Sequence, residues 1–280
     1  MRKPKKRSFV SPPRTATTSA HDYFVAAASD MRLFHFIIDS ALVGDYVAHI
    51  AKQALDAVDD PGSEQPPPKK PTPVDLAKTK PGPRTKALRN QRQQLLEMFF
   101  ARGVDNFNRY VVDLVRSVLR KQPAILKTRQ QSLTLDEILG HASIDDLVHS
   151  IIEARVNALS YEGFESLSAW CNDRGIPLKV PGGDHRAIVE LLATRNLIAH
   201  NRCIVDERYL RITEDGNLKL GQKRGLEVDD LWRCLNLLHG TVLTTDVAAA
   251  KKFRLRRTRA KAADAGAEVD VAKEGTAGEA

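Results

Sequence analysis

Apolar residues recur at the spacing of amphipathic helices along most of the chain. Over residues 23–58, apolar positions separated by three, four and seven residues predict a helix, with a break expected near Gly44. The same spacing over residues 86–121 predicts a long helix that kinks at Gly103 and ends before Pro123. The periodicity of these two segments therefore predicts helices rather than strands.

Two further helices carry N-cap signals. Ser143 precedes an apolar helical pattern whose first turn is acidic, and the helix dipole favours anions there. Asp184 is placed to cap a helix over residues 185–200. Two more patterns predict a short helix over 162–172 and a last helix over 228–250.

Residues 202–220 differ from the rest of the body. They contain two short alternating runs, Cys203–Val205 and Tyr209–Ile212, and a turn signal at Asp215-Gly216-Asn217. This pattern predicts a loop with at most a small hairpin. Elsewhere the periodicity is helical. The sequence therefore predicts an all-α fold, an up-and-down bundle of four to five helices.

Proline and charge divide the chain into segments. Residues 60–84 contain eight prolines, which predict a semi-rigid linker. Residues 1–20 lack apolar periodicity, which predicts disorder. The predicted organisation is a disordered basic arm (1–22), an N-terminal helical segment (23–58), a Pro-rich linker (59–85), a helical domain (86–250) and a disordered basic-then-acidic tail (251–280).

The composition is typical of a protein from a reducing compartment. Hydrophobic residues make up 42% of the chain, charged residues make up 28%, and no stretch approaches the roughly 18 consecutive apolar residues that a membrane span needs. The three cysteines have no CxxC spacing, so they predict neither a disulfide framework nor a zinc site. No apolar segment of the secretory type follows the basic N-terminus. We therefore expect a cytoplasmic protein with no cofactor and no membrane partner.

The net charge of +8 comes from the two ends of the chain. Residues 1–20 hold six Lys and Arg and no acid, and residues 251–262 hold seven and no acid. The body between them is nearly neutral. Short basic segments attract any polyanion through counterion release, with little dependence on its sequence. The two ends therefore predict either a nucleic-acid-binding role or a merely solubilising one.

Polar residues gather in the last turns of the helix predicted over 185–200. Asn196 and His200 are four residues apart and share one face. Arg195 and His200 are five apart, so on a straight helix they point about 140° from each other with a rise of about 7.5 Å. A long guanidinium can still curl toward the imidazole, or meet its counterpart in a second copy of the chain. These groups are predicted to line a cleft that is suited to a phosphodiester with its flanking sugars.

The string RNLIAHN, residues 195–201, resembles the R-x4-6-H signature of the HEPN domain family, in which a polar residue, often Asn, follows the arginine. The order of helices over residues 86–250 is similar to that of the RiboL-PSP-HEPN and abortive-infection type of prokaryotic defence ribonucleases. Arg14 and His21 satisfy the same loose spacing, but they lie in a segment that is predicted to be disordered. The match at Arg195 and His200 differs from it because it lies near the end of a predicted helix.

The resemblance implies a metal-independent endoribonuclease that cleaves RNA as a homodimer, in the manner of a toxin or a defence effector. Arg195 would hold the phosphate, Asn196 would orient the imidazole or donate to the phosphate, and His200 would act as general acid or base. RNA is the implied substrate, and an antitoxin or regulatory protein is a further implied partner. The helix stripe with Val189, Ala193 and Asn196 is the expected dimer face.

Other interpretations of these residues stay open at the level of sequence. Arg195 would alternatively pair with Glu153 or Glu97 inside the bundle. His200 would alternatively be a histidine at a helix C-terminus, with Asn201 in the left-handed conformation. The resemblance also admits a non-catalytic module that binds RNA, a nucleotide or a protein. An accessible cleft shared by the polar residues would favour the catalytic interpretation.

Overall fold

A computed structural model describes residues 13–59, 81–127, 132–162, 164–214 and 217–259. Within these ranges the elements in chain order are β1 (Thr15–Ala16), α1 (Thr18–Asp59), α2 (Pro83–Asn90), α3 (Arg92–Lys121), a 3₁₀ turn (Pro123–Leu126), α4 (Leu135–Leu139), α5 (Ile144–Glu162), α6 (Phe164–Asp173), a 3₁₀ turn (Pro181–Gly183), α7 (His185–Asn201), α8 (Glu207–Thr213), α9 (Val228–Phe253) and β2 (Thr258–Arg259). The predicted all-α helical bundle is confirmed.

The chain divides into two compact units. Unit 1 comprises Met1–Ala26, Val104–Leu192 and Leu235–Ala280, and unit 2 comprises Ala27–Gly103 and Ala193–Cys234. This division differs from the predicted organisation, because each boundary falls inside a helix rather than in a linker. Most of the predicted linker, together with residues 1–12 and 260–280, lies outside the described residues.

Both predicted N-caps are confirmed. The Ser143 hydroxyl accepts a hydrogen bond from the Asp146 amide at 3.1 Å, and α5 begins at the next residue. The Asp184 carboxylate accepts a hydrogen bond from the Ala187 amide at 3.2 Å, and α7 begins at the next residue. Each cap satisfies an amide that has no partner within its own helix.

Gly44, where a helix break was expected, lies inside a continuous helix, and so does Gly103, where the predicted kink stays a prediction. Helix α1 runs through Gly44 and α3 runs through Gly103, while the interruption between α2 and α3 falls at Gln91. A Cβ atom at Gly44 would overlap the Arg84 guanidinium. Gly44 therefore lies close to the Arg84 side chain within unit 2 and does not break the helix.

A short strand pair replaces part of the disorder expected at the N-terminus. Thr15 lies opposite Arg259 in an antiparallel pairing of β1 with β2, and α1 already begins at Thr18. Two-residue strands carry no detectable alternation, so the sequence pattern gives no sign of them. The described part of the predicted arm, residues 13–22, is therefore structured.

The core of unit 1 is built from the second half of α3 together with α5, α6 and the parts of α7 and α9 that belong to this unit. Phe107 contacts Phe164 with ring centroids 5.8 Å apart. The Tyr110 hydroxyl donates to the Val242 carbonyl at 3.4 Å, so this buried phenol is satisfied. Other buried residues are Val104, Val111, Leu114, Val118, Ile152, Val156, Leu159, Leu167, Ile188, Leu238 and Phe253.

The core of unit 2 includes an aromatic contact between α1 and α3 and a small cluster near the motif, among the residues that the structure describes. Phe34 on α1 packs edge-on against Phe99 on α3, with ring centroids 5.1 Å apart. Around the end of α7, the buried residues Ala193, Leu197, Val205 and Tyr209 form the small cluster. This cluster packs the last turns of α7 against the segment that follows them.

One helix of the described chain could cross a membrane by length and composition. It is the stretch Thr18–Lys52 of α1. A single helix of this kind is weak evidence, because core helices of soluble proteins pass the same test. The expected absence of a membrane partner stays a prediction.

Acid is expected to destabilise unit 1 through His239. This side chain is 1% exposed, and its Nδ1 donates to the Leu235 carbonyl at 2.6 Å. Burial lowers the pKa of His239 below the ordinary 6.5, and the Leu235 hydrogen bond offsets only part of this effect. As pH falls, the histidine of the unfolded chain therefore binds a proton before the histidine of the folded chain does. The contribution of neutral His239 to the free energy of unfolding is complete above about pH 6.5. It is lost as pH falls through the lower folded-state pKa, at up to about 1.4 kcal/mol per pH unit.

The measurement is the free energy of unfolding in urea at a series of pH values. His239→Gln should flatten the profile below pH 6.5, because glutamine does not titrate. His49→Gln, at an exposed position of α1, is the matched control and should leave the profile unchanged. Identical slopes for the parent chain and His239→Gln would show that another group is responsible.

Candidate functional site

Helix α7 ends in a turn with two left-handed residues. The Cys203 amide donates to the Leu197 carbonyl at 3.0 Å, which satisfies one carbonyl of the last turns of the helix. Arg202 has φ +50° and Cys203 has φ +62°. Asn201 is still helical, so the alternative prediction that placed it in the left-handed conformation is wrong. Its Nδ2 donates to the Ile204 carbonyl at 2.6 Å.

The segment after this turn is held by a short antiparallel pairing. The Arg224 amide donates to the Cys203 carbonyl at 2.8 Å, and the Val205 amide donates to the Gln222 carbonyl at 2.9 Å. The first predicted alternating run therefore pairs, as a small hairpin would. Its partner is residues 222–224 rather than Tyr209–Ile212.

The second predicted run, Tyr209–Ile212, forms part of helix α8. Asp206 caps this helix, and its Oδ1 accepts a hydrogen bond from the Tyr209 amide at 2.7 Å. The Tyr209 hydroxyl accepts from Arg224 Nε at 2.6 Å and lies 3.2 Å from the Thr194 hydroxyl. These bonds fix α8 against the last turns of α7.

A cavity of about 260 Å³ lies between the end of α7 and the start of α8, within unit 2. Two of the three predicted site residues, Asn196 and His200, line it together. The predicted sharing of one helix face therefore becomes a shared cavity. The full lining is Ala193, Asn196, Leu197, His200, Asn201, Asp206, Arg208, Tyr209 and Ile212.

The His200 imidazole is exposed and makes no hydrogen bond or ion pair with other residues that the structure describes. Asn196 is exposed as well, and its Oδ1 accepts a hydrogen bond from Arg195 Nη1 at 3.2 Å. Arg195 is half-buried and does not line the cavity. Its guanidinium nevertheless hydrogen-bonds to one cavity-lining residue, Asn196.

Two charged cavity residues were missed by the sequence analysis. Asp206 is half-buried and Arg208 is exposed, and both lie at the start of α8. The signal that could have found them is the helix start itself, since Asp206 is followed by an acidic first-turn residue, Glu207. The prediction of a loop with at most a small hairpin over residues 202–220 concealed that signal.

The acids proposed as ion-pair partners of Arg195 have other contacts. Glu153 accepts hydrogen bonds from Arg116 at 3.0 Å and from Arg120 at 2.9 Å within unit 1. In unit 2, Glu97 accepts from Gln93 Nε2 at 2.9 Å. Because the Glu153 carboxylate already binds two arginines, Glu153 is not favoured as the ion-pair partner of Arg195.

The expected dimer face has to be corrected at Ala193. This residue is buried and packs with Leu197, Val205 and Tyr209 in its own unit. At Ala193 and Leu197 the apolar face of α7 is thus covered by Val205 and Tyr209 of the same chain. The homodimer itself stays a prediction.

A larger cavity, of about 980 Å³, lies in unit 1 and has different chemistry. It is lined by α6, by the turn over residues 175–180, and by side chains that include His185 and Lys252. None of the motif residues lines it. The helix α7 thus carries one histidine at each end, and each lines a separate cavity.

Thiol nucleophiles are not favoured in the described chain. Burial raises the pKa of Cys171 to about 12 and, together with Glu97, that of Cys203 to about 12. Burial likewise raises the pKa of Cys234. Among the residues described, no group of three or more His, Cys, Asp or Glu side chains is arranged to hold a metal ion.

The end of α7 and the start of α8 therefore combine an imidazole, two amides, one carboxylate and two guanidinium groups. His200, Asn196, Asn201, Asp206 and Arg208 line the cavity, and Arg195 hydrogen-bonds to Asn196. The Asp206 carboxylate is engaged by the Tyr209 amide as the cap of α8. This combination suits a negatively charged ligand that exchanges a proton. No protein-family model matches the chain, and no curated protein or solved structure matches it either.

Proposed function

We propose that this protein is a metal-independent endoribonuclease that cleaves RNA by attack of a ribose 2′-hydroxyl on the adjacent phosphate. The observation that carries the proposal is the shared cavity of Asn196 and His200, with the Arg195 guanidinium bonded to Asn196. The RNLIAHN string and its resemblance to the HEPN signature support the same chemistry.

His200 is the group that moves a proton. In the reaction a bond forms between the 2′-oxygen and phosphorus while the bond from phosphorus to the 5′-oxygen breaks. One proton leaves the 2′-hydroxyl, and one is delivered to the departing 5′-oxygen. An imidazole exchanges protons near neutral pH, and the exposed ring of His200 has no internal partner among the described residues to hold it back.

The arginines hold the phosphate. Negative charge builds on the non-bridging oxygens in the transition state, and a planar guanidinium binds two such oxygens at once. Arg208 lines the cavity, and Arg195 hydrogen-bonds to the cavity-lining Asn196. The Asn196 amide nitrogen is a further donor on the same face.

The size of the cavity favours a polymer substrate. Sites that enclose a small-molecule ligand usually occupy roughly 300–1,000 Å³. The cavity at His200, at about 260 Å³, lies below that range. It suits one linkage of a chain that lies across the surface rather than a free metabolite. Because the nucleophile is the 2′-hydroxyl, DNA is not a substrate of this mechanism.

A toxin or defence effector is the biological role that we propose for this activity. An unrestrained endoribonuclease damages the cell that makes it, which is the reason to propose an antitoxin or regulatory protein as a partner. A homodimer would bring two copies of His200 to one substrate, as the HEPN resemblance implies, so that one imidazole removes a proton while the other delivers one.

The test is an RNA cleavage assay with purified protein in excess EDTA. We expect cleavage of single-stranded RNA, products with 2′,3′-cyclic phosphate and 5′-hydroxyl ends by mass spectrometry, and no cleavage of DNA of the same sequence. A strict requirement for Mg²⁺, or equal cleavage of DNA, would overturn the mechanism. Binding without cleavage would instead favour the non-catalytic module.

A further inference from the structure

The larger cavity, of about 980 Å³, lies entirely within unit 1. Its volume falls at the upper end of the range of roughly 300–1,000 Å³ that is usual for sites enclosing a small molecule. Helices α6, α7 and α9 contribute to its lining, together with the chain between α6 and α7. No step of the proposed RNA cleavage uses this cavity, so its role has to be inferred from its own chemistry.

One wall of the cavity is a stretch of chain that is fastened to α9, and we call it the wall segment: residues 175–180. At its start, Lys252 Nζ donates to the Gly175 carbonyl at 2.5 Å. Four residues later, the Lys179 amide donates to the Thr245 hydroxyl at 2.8 Å. The wall segment is thus held at both of these points by α9, and the chain itself forms this wall without a ligand.

The start of the wall segment requires glycine. Gly175 has φ +64°, a conformation that other residues rarely adopt, and a Cβ atom here would lie 2.6 Å from Lys252 Nζ. The Lys252 ammonium is therefore held at the edge of the cavity by a close approach to the backbone. An ammonium group has three N–H donors. The Gly175 carbonyl takes one of them, so others remain for a ligand.

Helix α6 presents a polar stripe to the cavity. Glu165, Ser168 and Asn172 are three and four residues apart, so they share one face, and all three line the cavity together with Ala169. Their side chains make no hydrogen bond or ion pair with other residues that the structure describes. The stripe therefore offers a carboxylate, a hydroxyl and an amide to a ligand, and the small Ala169 side chain leaves space between them.

Apolar side chains from other elements line the cavity as well. Four of them are half-buried, so part of their apolar surface is in contact with water: Phe164, Pro177, Leu178 and Val189. A ligand with an apolar body would remove this surface from water, which is favourable. The lining is thus apolar on several sides and polar along α6, as is typical of small-molecule sites.

The charge of the lining favours an anion. Lys179 and Lys252 are both exposed and line the cavity, whereas Glu165 is the one carboxylate among the described lining residues. The acids on either side of the wall segment, Asp173 and Asp184, do not line it. The two ammonium groups therefore outnumber the carboxylate, and charge-assisted hydrogen bonds to an anionic ligand are stronger than bonds to a neutral one.

We propose that the larger cavity of unit 1 binds a small organic anion in which a carboxylate or a phosphate is joined to an apolar body. The lysine ammonium groups bind the anionic group, the apolar side chains cover the body, and the polar stripe of α6 hydrogen-bonds to its polar edge. This binding does not depend on RNA cleavage. It therefore stands or falls separately from the proposed function.

The first test is a fluorescence titration of the full chain with anilinonaphthalene sulfonate, a probe that joins an anionic group to an apolar body. Changing Lys179 and Lys252 together to Gln should weaken binding of the probe by about tenfold or more, because charge-assisted hydrogen bonds are lost. The matched control changes Lys121 and Lys251 to Gln, two exposed lysines of unit 1 outside the cavity. Equal loss in both double variants would mean that overall charge attracts the probe, and it would overturn the proposal.

The second test fills the cavity. Ala169→Trp places a large side chain into it and should reduce binding of the probe by at least about tenfold. Ala158→Trp makes the same change on α5, at an exposed position that does not line the cavity, and should leave binding unchanged. Thermal unfolding checks that each variant is folded. Unchanged binding in folded Ala169→Trp would show that the probe binds elsewhere and would overturn the proposal.

The third test identifies the anionic group by displacement of the probe. Benzoate and phenyl phosphate carry the same ring, so the stronger competitor shows whether the site prefers a carboxylate or a phosphate. Benzyl alcohol lacks the charge and inorganic phosphate lacks the ring, and both should compete at least about tenfold more weakly. Equal displacement by either of these two would overturn the proposal, as would failure of both aromatic anions to displace the probe. His200→Ala should bind the probe as the parent does, so a failure of the proposed function leaves this site standing.

Discussion

Replacing His200 by alanine is expected to lower the rate of RNA cleavage by about 100- to 10,000-fold. This is the usual contribution of a positioned general acid or base. The substitution should leave the fold unchanged, because the His200 side chain is exposed and makes no hydrogen bond with other described residues. The free energy of unfolding should stay within about 0.5 kcal/mol of the parent value, as for ordinary surface substitutions.

The matched control lies on the same helix. His185→Ala removes an exposed imidazole from the other end of α7, where it lines the larger cavity of unit 1. This variant should retain the parent cleavage rate. Initial rates on one RNA substrate in EDTA, with thermal unfolding of each variant, complete the measurement. If His185→Ala loses activity and His200→Ala keeps it, the larger cavity contains the site and the present assignment is wrong.

Helical spacing alone predicts only part of the candidate site. Asn196 and His200 share a cavity because residues four apart share a face, and that geometry is fixed by the helix itself. Asp206 and Arg208 reach the same cavity only because the chain turns back at Arg202 and Cys203. Sequence spacing contains no information about such a return, so these two residues could be found only in the structure.

The helices with capping residues were predictable for a similar reason. Ser143 and Asp184 act on amides three residues away, so their effect is local and visible in the sequence. The close approach at Gly44 involves Arg84, which lies at the far end of the proline-rich stretch. The strand pair likewise depends on contacts between the two ends of the chain. Interactions between residues distant in sequence are the ones that periodicity leaves undetermined.

Asp246→Ala is expected to be the most destabilising of the substitutions considered for this protein, at about 3 kcal/mol. The change removes two charge-assisted hydrogen bonds from Thr17, whose backbone amide is buried and would lose its acceptor. It also leaves Arg257 without its carboxylate. The Arg257 side chain is 30% exposed, so water solvates part of the remaining charge and keeps the loss below that of a fully buried pair.

Urea unfolding gives the size of this effect, and hydrogen exchange gives its location. Exchange at the amides of Ala16 and Thr258 should become faster in Asp246→Ala, because the strand pair is tied to α9 through this carboxylate. Asp246→Asn keeps one acceptor oxygen and should fall between the parent and alanine. Asp22→Ala removes the same charge from a side chain that is 68% exposed, and it should change stability by less than about 0.5 kcal/mol. Equal destabilisation by Asp22→Ala and Asp246→Ala would mean that overall charge, rather than the buried bonds to Thr17, determines the stability of this end of the molecule.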